Sequence, residues 1–180
     1  SKVLTEGNHA LEFRFGNQVD YAYNLANVSV CANLTTAGET YNLVSNIQNY
    51  NTSTVCFDIQ APNIIFDCQG KTIDGADSSQ FNISTGINTN ATNTTIKNCI
   101  LTDFSYPIYF ENAENSSAIN NPITISSLSY SKHGISSETS DHVTIENNTI
   151  HLIGTGETSD YAISLSGSEY NNVTNNVIYD

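Results

Sequence analysis

Apolar and polar residues alternate in short runs along most of the chain, and the runs return in the same order. In GISSETSDHVTIENNTI (134–150) a Gly-Ile opening leads through a polar middle to an alternating run, an Asn pair and a closing Ile. AISLSGSEYNNVTNNVI and PIYFENAENSSAINNPI repeat it, so that Ile108, Ile135 and Ile163 stand 13 residues before Asn121, Asn148 and Asn176. Looser copies open at Ile87, with Cys99 12 residues on in place of the second Asn, and at Phe57. The closing positions Ile73, Leu101, Ile123, Ile150 and Ile178 are apolar in every copy. Alternation with a period of two is a strand pattern. Openings at 57, 87, 108, 135 and 163 are 21 to 30 residues apart. A self-similar unit of that size predicts a solenoid, in which each coil buries its inner face against its neighbours. The alternation points Val143 and Ile145, and likewise Ile163 and Leu165, inward.

The Asn pairs have a physical reason in such a stack. A tight corner needs a left-handed backbone, which Asn tolerates better than other residues with a side chain. Stacked coils also align identical side chains about 4.8 Å apart, so the amides of Asn121, Asn148 and Asn176 are expected to form a hydrogen-bonded ladder. A sugar-binding role for these Asn is the alternative. Asn147 is expected to face inward with the pair, and Asn88 to lie in an outer loop.

Composition narrows the class. Of the 180 residues 38% are hydrophobic, and Asn, Ser and Thr make up over a third. Such a chain escapes disorder because its Val, Ile, Tyr and Phe sit at regular positions. The net charge of -13, with Lys2, Arg14, Lys71, Lys97 and Lys132 the only cations, argues against nucleic acid and anionic membranes as partners. No run of 18 apolar residues predicts a membrane-inserted helix. A start at Ser1 and the absence of Met fit a processed, exported product.

The four cysteines form no metal-binding spacing. Cys68 and Cys99 fall near the same corner of successive repeats, which predicts a Cys68–Cys99 bridge and leaves Cys31 with Cys56. Four free buried thiols are the alternative. Asn-X-Ser/Thr occurs nine times, and chance in so Asn-rich a chain supplies about six. Asn33, Asn51, Asn82, Asn90 and Asn115, in loop-like stretches, are candidate carriers of N-linked glycans.

The cadence GI...TIxNNxI resembles that of right-handed parallel β-helix proteins, the pectate-lyase-like superfamily. The block from Cys31 through Cys56 to Asp67-Cys68-Gln69-Gly70 and Ile73-Asp74-Gly75 resembles the opening module of exported, repeat-rich surface proteins found mainly in archaea. The resemblance covers about residues 31 to 180. It implies an all-β, right-handed parallel β-helix of about five coils over 31–180, with residues 1–30 as a strand extension or cap. In that extension Leu11, Phe13 and Phe15 on one arm, and Val19, Tyr21 and Tyr23 on the other, flank Gly16-Asn17. This is a hairpin signal. Leu11, Phe13, Phe15, Tyr21 and Tyr23 are candidate contacts to another subunit.

Many proteins resembling this fold cut polysaccharides, so chemistry has to be weighed. The lyases among them imply an Arg or Lys base beside Ca²⁺, and the single Arg, Arg14, precedes the repeats. The hydrolases imply an adjacent Asp pair, and the sequence has none. The best carboxylate grouping is Asp58, Asp67, Asp74 and Asp77 with Asp103. Asp74 and Asp77, in TIDGADSS, are a weak Ca²⁺ candidate, since turn chemistry by itself accounts for Asp and Gly there. His9, His133, His142 and His151 share no metal-ligand spacing. The expectation is therefore a non-enzymatic protein without cofactor, Ca²⁺ aside. It is read as extracellular, at the cell surface, and assembling with copies of itself into a layer, sheath or filament. The alternative is a carbohydrate-active or carbohydrate-binding β-helix whose exposed Tyr106, Tyr109, Tyr130 and Tyr161 line a groove.

Overall fold

In the computed structural model the residues described are 14–15, 18–19, 25–50, 54–75, 84–126, 132–153 and 160–180. Every regular element among them is a strand. Each coil contributes one strand to each of three parallel sheets. In the best-formed coil these are Tyr106–Glu111 in the first sheet, Ser117–Ile119 in the second and Pro122–Ser126 in the third. The first and third sheets are six strands deep, about five full turns of a β-solenoid. The second has a seventh strand, Leu25–Val28, which pairs in parallel with Thr40–Leu43. The solenoid therefore begins before Cys31, inside the segment expected to be a separate extension. Ahead of it Arg14–Phe15 pairs antiparallel with Gln18–Val19 around Gly16-Asn17. Of the candidate contacts, Leu11, Phe13, Tyr21 and Tyr23 lie outside the described residues.

The repeat positions become vertical columns. Phe57, Ile87, Ile108, Ile135 and Ile163 are successive partners in the first sheet. Phe66, Ile96, Ala118, Ile145 and Val173 align in the second, and Ile73, Leu101, Ile123, Ile150 and Ile178 in the third. The middle members of all three columns are fully buried. Each large apolar side chain so covered contributes roughly 1.5–3 kcal/mol. The Gly of the Gly-Ile opening is a packing requirement: a Cβ on Gly134 would stand 2.6 Å from the Ala162 carbonyl oxygen and 3.1 Å from Ile150.

Two of the corners are regular, the first in every coil and the second in the last four. Five residues join the first sheet to the second in every coil, at 35–39, 60–64, 90–94, 112–116, 139–143 and 167–171. Asn63, Asn93, Asn115, His142 and Tyr170 take left-handed backbone there. Between the second and third sheets the left-handed residues are Gln69, Asn98, Asn120, Asn147 and Asn175. The pair thus divides its work: the first Asn makes the turn and the second points inward. Asn147 is exposed, contrary to expectation, while Asn148 is fully buried.

The inward amides form a ladder. Asn148 Oδ1 accepts from the backbone N–H and the Nδ2 of Asn121, both at 2.9 Å. Asn148 donates in the same two ways to Asn176 Oδ1, at 2.9 and 3.0 Å, and its Nδ2 also donates to the Ala118 carbonyl. Asn121 Oδ1 in turn accepts from the Cys99 N–H, so the ladder ends where the disulfides begin. Cys68 is bonded to Cys99 and Cys31 to Cys56, each with Cα atoms 4.7 Å apart, the spacing of neighbouring strands. Both bridges therefore tie adjacent coils. Asn88 lies in the strand Thr85–Thr89 and not in a loop; it faces outward and donates to Asp58 at 2.8 Å.

Candidate functional site

The third corner, from the third sheet back to the first, breaks the uniformity. Its connections run from three residues at 103–105 to nine at 76–84, with others at 127–132 and 154–160. Most of the variation in coil length arises here. The strands that follow start with Tyr106, His133 and Tyr161, each two residues before the inward Ile. At that position the side chains stack along the solenoid axis on its outer face. The His133 ring centroid is 5.2 Å from that of Tyr106 and 5.1 Å from that of Tyr161, and Tyr109 lies 5.5 Å from Tyr106. Tyr106, Tyr109 and His133 are half-buried, and Tyr161 is 51% exposed. The strip is thus neither core nor bare surface.

Titratable groups flank it on two sides. At the corner Ser126 Oγ donates to Asp103, and Lys132 Nζ donates to the Ser126 carbonyl at 3.0 Å. The Lys132 backbone N–H donates to Asp160 Oδ1 at 2.9 Å. Burial lowers the pKa of Lys132, against the pull of Asp103 and Asp160. Burial also holds the His133 imidazole below the ordinary histidine range, opposed by Asp160, so the ring is neutral at pH 7. His133 Nδ1 and Asp160 Oδ2 are buried with no hydrogen-bond partner. Buried polar atoms are normally satisfied, and these two, on neighbouring coils, each lack a partner that a water or a hydroxyl would supply. At the other end of the strip Tyr109 donates to Glu138 of the next coil, whose strand partner is Glu111, two residues beyond Tyr109 on its own strand. Burial, that hydrogen bond and the two carboxylates push the Tyr109 phenol above its ordinary range, so it stays a donor.

The carboxylates grouped from the sequence are not brought together. Asp58 lies on the first sheet, where Asn88 and Gln60 donate to it. Asp67 lies on the second, 3.3 Å from Lys97. Asp74 is not in a turn but in the strand Thr72–Gly75 of the third sheet, where Thr102 Oγ1 and the Asn49 N–H donate to it. Asp77 lies outside the described residues, as do Asn51, Asn82, Tyr130 and His9. Among the described residues no three His, Cys, Asp or Glu gather as a metal site. The three described histidines belong to one coil, and each meets a tyrosine of the next: His133 with Tyr161, His142 with Tyr170, His151 with Tyr179. Spacing along the chain hides this arrangement.

No protein-family model matches the chain, and no curated protein matches its sequence. Among solved structures it is similar to a "putative glycosyl hydrolase" from Parabacteroides merdae ATCC 43184, with a TM-score of 0.58 and 14% identity over 87% of this chain and 79% of that one. The shared fold is the β-solenoid. The finding corrects the expectation of a non-enzymatic chain, which rested on missing sequence motifs. Missing motifs are a poor guide here, because a site on a solenoid draws single residues from several coils. The two disulfides are consistent with an extracellular protein.

Proposed function

We propose that this chain is a carbohydrate-active β-solenoid protein that engages a glycan along the outer face of its first sheet. The observation that carries the reading is the axial strip Tyr106, His133 and Tyr161 beside the unpartnered His133 Nδ1 and Asp160 Oδ2. The C–H face of a sugar ring packs on aromatic rings, and its hydroxyls need donors and acceptors at the edge of that contact. The solved protein of similar fold, described as a "putative glycosyl hydrolase", supports the same reading. Hydrolysis takes two carboxyl groups, about 5–5.5 Å apart when configuration is retained. Glu111 and Glu138, on hydrogen-bonded neighbouring strands, are the nominated pair. Incubation with a panel of polysaccharides, followed by reducing-end release and affinity electrophoresis, tests it. Retarded migration that Tyr161→Ala abolishes is expected, and release that Glu138→Gln abolishes assigns hydrolysis. No retardation by any polysaccharide would defeat the reading.

A second reading, a structural role at the cell surface through assembly with other copies, draws on the two disulfides that tie adjacent coils, which are consistent with an extracellular protein. Light scattering over a range of concentrations tests it, with a monomer throughout as the contrary result. The exposed Asn33, Asn90 and Asn115 are the glycan carriers on this reading.

A further inference from the structure

We propose that the glycan taken by this face is uncharged and read through its hydroxyl groups, so that uronate and sulfated chains are excluded. The inference rests on the glycan reading above and specifies its substrate class. Four carboxylates border the strip: Asp103 and Asp160 at the corner, Glu111 and Glu138 at the far end. The cation among them is Lys132, whose ammonium donates to the Ser126 carbonyl at 3.0 Å and feels both Asp103 and Asp160, one positive charge beside four negative ones. Lys97 is committed to Asp67 on the second sheet. An anionic polymer lying on the strip would therefore meet a border of net negative charge, whose repulsion reaches over a Debye length of about 8 Å at physiological ionic strength. The whole chain, at -13, adds to that repulsion at longer range.

The two orphaned atoms point to the same ligand. Asp160 Oδ2 only accepts, whereas the neutral imidazole of His133 can donate or accept at Nδ1. A hydroxyl suits either atom, donating to the carboxylate or accepting from the ring N–H. A carboxylate or sulfate has no proton for Asp160, and an ammonium cannot accept. The fit is to a sugar hydroxyl.

Isothermal titration of the full chain with three hexasaccharide classes decides the matter. These are neutral (gluco-, manno- and xylo-oligomers), anionic (hexagalacturonate) and cationic (glucosamine hexamer), each in EDTA and again with added Ca²⁺. The expected result is that one neutral oligomer binds about tenfold or more tighter than either charged class, changes less than about twofold up to 0.5 M salt, and is lost in Tyr161→Ala. Galacturonate binding as tightly, in EDTA or through Ca²⁺, overturns the inference while leaving the glycan reading intact, and so does tighter, salt-sensitive binding of the cationic oligomer. Neutral binding that survives in Tyr161→Ala places the ligand elsewhere and overturns both. So does the absence of binding to all three classes.

Discussion

Two corners of the same coils behave in opposite ways. Between the second and third sheets the last four coils turn in two residues, a left-handed Asn98, Asn120, Asn147 or Asn175 followed by an inward Cys99 or Asn. Each inward group is bonded to the coil above or below. Between the third and first sheets the connections differ in every coil, and the residues around them are titratable, half-buried and incompletely paired. One corner carries the stack and the other carries the chemistry. The division follows from geometry, because a repeat whose rungs must stay in register can vary only where no ladder crosses from coil to coil.

That contrast can be broken most directly by insertion. Two glycines placed between Asn147 and Asn148 shift one ladder rung out of line, and the coils beyond it are expected to unfold, read as lost strand signal and protease cleavage C-terminal to the site. The same insertion within 154–159 lengthens a connection and should cost under about 0.6 kcal/mol. Equal tolerance at the two corners would erase the distinction.

Next in size come the rungs themselves. Replacing Cys68 and Cys99 together by Ala opens a loop of 31 residues and should cost about 3.5 kcal/mol in urea unfolding. Asn148→Leu strands the backbone N–H of Asn121 and takes a donor from the Ala118 carbonyl, for about 3 kcal/mol. Asn88→Leu, which removes one half-exposed bond to Asp58, should cost about 1 kcal/mol or less. Matching melting temperatures for the two Asn variants would show that the ladder does not hold the corner.

The variable corner should show itself through pH. The folded state holds the His133 pKa below its unfolded value of about 6.5, so the native protein favours the neutral ring. Its contribution is complete above pH 6.5 and is lost as pH falls through the depressed folded value. Denaturant midpoints measured from pH 8 to 5 should decline below about 6.5, with a shallower slope in His133→Gln. A histidine NMR titration placing His133 at or above 6.5 would contradict the burial of its ring. The smallest stability effect is expected at Tyr161, half exposed at the end of the strip. Tyr161→Ala should leave the melting temperature within about 2 °C while abolishing glycan retention.

The sequence by itself determined the period, the inward columns, the pairing of Cys68 with Cys99 and of Cys31 with Cys56, and the place of Asn121, Asn148 and Asn176. Each of these is one residue type repeated at one height of the stack, so a copy in the next coil announces its neighbour in space. Tertiary structure alone decided which Asn of a pair turns and which points inward, that Asp58, Asp67 and Asp74 occupy three different faces, and that Asp103, Lys132, His133 and Asp160 meet at one corner. A faint signal was present, since Tyr106, His133 and Tyr161 all stand two residues before an inward Ile. It was hard to use because the residues differ in type and the connections before them differ in length. A ladder repeats because backbone spacing imposes it on every coil, whereas a site is assembled once, from single residues that no neighbouring coil has reason to copy.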